Sequence, residues 1–398
     1  MFLFRFLIFL FFLFPSFSLA SNQVCRPFFS FPKNKVSAVY AMKAMQNNLV
    51  IVGSEGKQNL KNTFLMQLNS KGEIDSRFGK EGLHFSFGSD EEIHGLGLDH
   101  TGFVMAGFFK NHTRDFLFVK INSDGNLNST FGKNIFSGQN KKGELHYIDQ
   151  NDSGWLAAGF SHKLGKSDFS LVRINAEGGP DLNFGYQGVV TLKHGSKDHL
   201  YGVTTLSDGT IAATGSALNK GKENCVVVRL SKKGELLSSF GVGGFVFLPS
   251  QGQGMCAAVK EDNQHRLIVV GFSETAKRNT DFFIARLGLN GELDSSFGHG
   301  GIVLENIAGI DSAHDFFIHP DGSLDVAGEY QDARLKKYGF VLLRLDSEGK
   351  PQSSFGKNFI ITCPLAGPSF VNTLVETENG IYLGGVSQNL GVVYSISP

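Results

Sequence analysis

The sequence predicts an all-β fold built from tandem copies of one four-stranded unit, and three observations predict it. A Phe-Gly pair closes a strand-and-turn motif at residues 78, 131, 184, 240, 297 and 355, at spacings of 53, 53, 56, 57 and 58. The apolar runs between these anchors are short and carry no helical period. Gly, at 49 residues, punctuates the runs, whereas Pro, at 10, is sparse.

The first twenty residues stand apart from this pattern. Met1 to Arg5 carries one positive charge, Phe6 to Phe14 is unbroken apolar sequence, and Ser18-Leu19-Ala20 makes a small-residue exit. This is the pattern of a secretory signal peptide, residues 1–20, cut after Ala20. The apolar run is short for a bilayer span, and Val24 before Cys25 is not the small residue that lipidation requires. The expectation is an exported chain, periplasmic, cell-surface or extracellular, with residues 21–398 as one domain and no transmembrane segment.

Within that domain the units read alike. An anchor is followed by a short strand, as at Gly82 to Phe87, and then by a loop and a second strand, as at His94 to Leu98. A tight turn rich in Asp, Asn and Gly comes next, as in Asp99-His100-Thr101-Gly102 or His319-Pro320-Asp321-Gly322. The strand after it ends on Gly: Leu49 to Gly53, Phe103 to Gly107, Trp155 to Gly159, Ile211 to Gly215, Leu267 to Gly271, Leu324 to Gly328 and Ile381 to Gly385. One more strand leads to the next anchor; Phe116 to Gly132 shows this strand, its Asn122-Ser123-Asp124-Gly125 turn and its anchor in one stretch. Strands of about five residues cannot bury a core within one unit, so neighbouring units must stack.

Four short strands per unit predict a β-propeller blade, and the Gly-ending strand predicts seven blades. The chain stops at Pro398, where the last blade needs its outer strand, and Phe28 to Phe31 parallels His84 to Phe87. The N-terminal strand is therefore expected to complete the seventh blade and close the ring. Asp281-Phe282-Phe283-Ile284-Ala285-Arg286-Leu287, Gly291-Glu292-Leu293-Asp294, Ser296-Phe297-Gly298 and His319 to Gly328 resemble the delta-60 repeat of bacterial β-propeller proteins. The resemblance covers nearly all of the mature chain, departs at Leu237 and in the anchorless last unit, and implies the fold and export rather than an activity.

Lys+Arg and Asp+Glu each total 37, so no overall charge points to nucleic acid or membrane. Strand polarity nevertheless sorts the loops by charge. One face collects Lys110 and Arg114, Lys163 and Lys166, Lys220 and Lys222, and Lys277 and Arg278, with Lys57 and Lys61. The other collects Asp99, Asp149, Asp152, Asp208, Glu261, Asp262, Asp321, Glu376 and Glu378. Counting back eight residues from the hairpin Gly gives His94, His146, Tyr201, His314 and Asn372, expected to ring the mouth of a central channel on the basic face. Equivalent positions in a ring are held apart, so packing explains this set better than a metal does, and no metal or other cofactor is expected.

Lys120, Arg173, Arg229, Arg286 and Arg344 recur at one strand position, and Asp75, Asn128, Asp181 and Asp294 recur in the anchor loop. Repetition points to bracing, because catalysis needs an asymmetric set of roles. Asn122 to Gly125 reads as a turn and not a calcium loop, since its equivalents do not keep the acids. Cys25 and Cys363 fall on opposite faces, roughly 17 Å apart across five residues of strand. No disulfide is expected, with Cys225–Cys256, which share a face, as the one possible exception.

The sequence thus reads as a monomeric, non-enzymatic binding or interaction scaffold of the cell envelope or exterior, whose partner is a protein, a glycan or an anionic envelope component and not nucleic acid. The alternative is a propeller hydrolase or lyase with its site at the central channel near His94, His146 and His314.

Overall fold

The computed structural model describes residues 24–397 apart from 34–35, 58–59, 77–80, 87–89, 112, 132, 137–141, 152–153, 164, 278 and 333. The expected signal peptide, the first anchor Phe78, Asp152 and Arg278 lie outside the described residues. Among those described there is no helix long and apolar enough to cross a membrane, and every regular element is a strand.

Strand β1 (Val24–Ser30) opens the chain. Then β2 (Val36–Met45), β3 (Asn48–Lys57), β4 (Leu60–Leu68) and β5 (Leu83–Phe85) form one sheet. The next is β6 (Asp90–Asp99), β7 (Gly102–Asn111), β8 (Thr113–Asn122) and β9 (Lys133–Phe136). A third holds β10 (Lys142–Asn151), β11 (Gly154–Lys163), β12 (Lys166–Asn175) and β13 (Val189–Leu192). A fourth holds β14 (Asp198–Thr205), β15 (Ile211–Asn219), β16 (Lys222–Leu230) and β17 (Phe245–Phe247). An eight-stranded sheet joins β18 (Gly254–Glu261), β19 (Leu267–Ala276), β20 (Asn279–Leu287) and β21 (Ile302–Glu305) to β22 (Ile310–Ile318), β23 (Leu324–Asp332), β24 (Lys337–Leu345) and β25 (Ile360–Leu365). The ladder between its two halves is the parallel bridge Thr280–Ile310. Finally β26 (Ser369–Thr377), β27 (Gly380–Ser387) and β28 (Leu390–Ser397) pair with β1, which lies antiparallel to β28.

Each sheet, and each half of the large one, is one repeat unit. Its first three strands run eight to ten residues, longer than the expected five, and only the outer strand is short. The extra length comes from the segments expected to be basic loops, where the hairpin ladder continues almost to the turn. Lys110 pairs with Arg114, and Lys163 with Lys166. At the opposite end Asp side chains close the turns, as where Asp99 Oδ1 accepts from the Thr101 and Gly102 amides at 2.7 and 2.9 Å.

No unit has a core of its own. Leu156, Phe169, Leu171 and Phe184 of the third unit pack on Leu200, Val203, Ile211 and Val226 of the fourth, and the other clusters likewise straddle neighbours. The sheet of β2 meets that of β26 in the same way. The Met42 amide donates to Thr373 Oγ1 (3.3 Å), and Asn372 Nδ2 donates to the Val39 carbonyl (2.7 Å).

The recurrent basic residue braces the anchor, as its repetition suggests. Arg173, Arg286 and Arg344 each lie over an anchor ring, with the guanidinium carbon 4.4, 4.7 and 4.2 Å from the centroids of Phe184, Phe297 and Phe355. Arg173 and Arg286 also pair with Asp181 and Asp294 at 2.7 and 2.9 Å, and donate to Lys232 O and Ser347 O in the next unit. Leu237 offers Arg229 no acid, and Arg229 instead reaches Asp208 at 2.9 Å.

Two disulfides are present, Cys25–Cys363 and Cys225–Cys256. The second is the pair that shares a face. The first corrects the expectation, because its Cα atoms are 5.4 Å apart rather than on opposite faces. The expectation treated the outer strands as running alongside the inner ones. Sheet twist of about 20–25° per strand accumulates to roughly 60–75° over three steps, so outer strands run across the rim. Near its end β25 therefore meets the start of β1, where Cys25 is already the second residue of the strand.

Candidate functional site

The glycines that were expected to end strands sit within them instead. β3 runs four residues beyond Gly53, and β7 four beyond Gly107. A Cβ at Gly53, Gly107, Gly159 or Gly215 would stand 1.8 to 1.9 Å from the carbonyl oxygen of Ala38, Glu92, Glu144 or His199 on the first strand of the same unit. No side chain fits there. The close approach occurs where the first strand bulges, and every first strand slips register at this point, skipping Tyr40, His94, His146, Tyr201, Ala257, His314 and Asn372 in turn. A bulge re-aims its extra residue, and all seven of these residues line one cavity of about 490 Å³ bounded by the first strands.

The sequence count found five of the seven. Tyr40 and Ala257 escaped it because Asn48 and His265 stand where the other hairpins carry Gly; His265 takes the left-handed conformation itself (φ 62°). Counting back eight from Asn48 and His265 would have located them.

One side of the cavity is a continuous arc of rings. Tyr40 meets His94 edge-on at 4.6 Å, His94 stacks on His146 at 5.2 Å with planes 12° apart, and His146 meets Tyr201 at 5.3 Å. Glu92 holds the near end, accepting from Tyr40 Oη (2.9 Å) and Lys61 Nζ (2.6 Å) and lying 3.1 Å from His94 Nε2. Burial opposes the charge of Glu92, but His94 and Lys61 outweigh it and hold its pKa at about 2. Burial, with His94 and His199 alongside, pushes His146 well below its ordinary value, so it is neutral. His94 Nδ1 and His146 Nε2 are buried without a hydrogen-bond partner among the described residues.

The other side is charged. His314 Nε2 lies 2.8 Å from Glu329, whose other oxygen accepts the Val371 amide. Burial lowers the His314 pKa, yet Glu329 and Asp315 overcome it and raise the value above normal. Deeper in, Lys260 Nζ donates to Asp315 at 3.0 Å and to the Phe316 carbonyl, and Asp315 Oδ2 accepts from the Leu374 amide. Lys43, on β2, also lines the cavity. Among the described residues no three His, Cys, Asp or Glu side chains converge as a metal site requires.

The basic rim divides in two. Lys61 is drawn to Glu92, and Arg114 to Glu144 while lying over the Phe108 ring. Lys222 donates to the Gln251 carbonyl at 3.0 Å. Lys163, Lys166, Lys220 and Lys277 are exposed on the third, fourth and fifth units. Lys110 is exposed at the end of β7, and Arg278 lies outside the described residues. The rim and the ring-lined cavity are thus brought to one end of the molecule through Lys61 and Glu92.

Residues 266–297 match a family model described as a domain of unknown function (DUF5122) beta-propeller. The expected resemblance is borne out in this stretch. No curated protein matches the chain. Among solved structures, the chain is similar to Sqt1 of Chaetomium thermophilum, at 13% identity over 93% of this chain and 97% of that one, with a TM-score of 0.49. It is similar to the periplasmic gluconolactonase PpgL of Pseudomonas aeruginosa, at 13% identity over 83% and 85%, TM-score 0.47. A third likeness is to the beta-propeller domain of the Trilobed protease from Pyrococcus furiosus, at 8% identity over 92% and 94%, TM-score 0.44.

Proposed function

We propose that the chain is an exported, seven-bladed β-propeller that binds a small polar ligand in its central channel. The observation that carries this reading is the set of seven bulges, each turning one side chain toward a shared cavity of about 490 Å³. That volume lies within the range of small-molecule pockets, and a largely apolar lining with a few placed polar groups is what such pockets present. Closure of the ring by the N-terminal strand is supported by the β1–β28 pairing, the Cys25–Cys363 bridge and the bonds from Met42 and Asn372 across the β2–β26 seam. Export is supported by the pattern of residues 1–20 and by two disulfides, which form and persist in oxidising compartments. The exposed lysines Lys163, Lys166, Lys220 and Lys277 would draw an anionic envelope component to the channel end.

The test is a thermal-shift panel of sugars, sugar acids, amino acids and nucleotides on residues 21–398, repeated on His146→Ala and Tyr201→Ala. At least one class should raise the melting temperature of the wild type and not of the variants. A panel without effect on the wild type, or with equal effect on all three proteins, overturns the reading.

A further inference from the structure

The channel contains one charge that the chain leaves unanswered. Lys43 lines the cavity, and its ammonium makes no hydrogen bond or ion pair with any described residue. The other cations of the cavity are committed, Lys260 to Asp315 and the Phe316 carbonyl, and His314 to Glu329. The nearby carboxylates are committed as well. Asp315 Oδ1 takes Lys260 and the Phe316 amide, and its Oδ2 takes the Leu374 amide. Asp149 is turned to the Thr205 amide at 2.7 Å. Desolvation accordingly lowers the Lys43 pKa, with Asp315 raising it and Lys260 lowering it further.

Lys43 is half-buried, and an unpaired ammonium lining a concave site is matched by a ligand anion. Three residues of strand separate Lys43 from Tyr40, about 10 Å, so one small molecule can reach both the ammonium and the ring arc. The partnerless nitrogens of His94 and His146, both in the cavity lining, call for hydroxyl groups.

We infer that the channel takes a carboxylated sugar, its acid group paired with Lys43 and its hydroxylated ring lying against the His94–His146 stack. The inference rests on the reading of the channel as a ligand site, and names the ligand's chemistry. An anion alone would need only Lys43, and an aromatic acid would leave the imidazole nitrogens unanswered. A sugar acid of one or two rings answers both within the volume available.

Isothermal titration of residues 21–398 with D-glucuronate, D-glucose and benzoate tests it, in the wild type and in Lys43→Met, Lys43→Arg and His146→Ala. Glucuronate should bind the wild type at least about tenfold more tightly than glucose or benzoate. Lys43→Met should lose at least about tenfold in glucuronate affinity, and Lys43→Arg, which keeps the charge, should stay within about threefold. Equal binding of glucose or benzoate, no binding of glucuronate, or full binding by Lys43→Met overturns the inference. If His146→Ala loses glucuronate while Lys43→Met keeps it, the carboxylate assignment fails and the channel reading stands. If neither substitution matters, both fail.

Discussion

The two disulfides close chain segments of very different length, and their removal should follow that difference. Cys25 and Cys363 are 338 residues apart, and Cys225 and Cys256 are 31 apart. If a cross-link acts by limiting the unfolded chain, the loop-length relation assigns about 6 kcal/mol to the first and about 4 kcal/mol to the second. The comparison is fair because both bridges sit in packed surroundings. Cys363 belongs to the core cluster against which Cys25 packs, and Cys225 and Cys256 share another. Replacing Cys25 and Cys363 by Ala should therefore cost about 2 kcal/mol more than replacing Cys225 and Cys256. Urea unfolding of both double variants under non-reducing conditions measures this, with the slopes compared so that a change in the denatured state is not read as stability. Equal losses, or a larger loss from the shorter loop, would refute the argument and place the stabilisation in local packing.

Two further predictions concern the cavity wall. His146 and His314 occupy the same bulge position but should show opposite pH signatures, because His146 is held below and His314 above the ordinary value of 6.5. The contribution of His146 is present above about pH 6.5 and lost as pH falls, whereas that of His314 is full below about pH 6.5 and lost as pH rises through its raised value. Thermal melts of His146→Phe and His314→Phe against the wild type, from about pH 5 to pH 8, should diverge in sign, and parallel curves would sink the assignment. Separately, a Cβ at Gly97 would stand 2.0 Å from Cζ3 of Trp155, the one tryptophan of the chain. Gly97→Ala should cost about 1–3 kcal/mol and shift tryptophan emission; an unchanged melt and spectrum would show that the contact is not as described.

Much of the architecture was legible because it is repeated. The period of the Phe-Gly anchors, the Asp-rich turns and the basic residue over the anchor ring recur with the geometry that folds each unit, so each copy corroborates the others. The glycines were visible too, but their meaning was not. Gly107 looks like a strand end because the polar residues after it, such as Lys110 and Arg114, resemble a loop. Only the register places it opposite the bulged backbone at Glu92. Cys25–Cys363 was illegible for another reason: strand order gives the neighbours of a strand but not the angle through which twist has turned it. Lys43 was illegible because its position is not kept from unit to unit; of the other six units only that of Lys260 carries a cation there, and Lys260 is held by Asp315. The third residue past the bulge is Gly97, Asp149, Thr204, Lys260, Phe317 and Val375 in the other units.

That contrast decides where function is to be sought. If the bulge residue were there for packing alone, each unit would face the same neighbours through the same backbone, and one residue type would serve throughout. The glycine opposite the bulge behaves in that way, since a carbonyl oxygen leaves no room for a Cβ at Gly53, Gly107, Gly159 and Gly215 alike. The bulge residue does not. The same backbone device presents Tyr40, His94, His146, Tyr201, Ala257, His314 and Asn372, with an imidazole favoured in its neutral form at one point of the lining and one favoured in its charged form at another. A repeated scaffold with an unrepeated lining yields an asymmetric cavity from equivalent strands, and asymmetry is what recognition of a single small molecule requires.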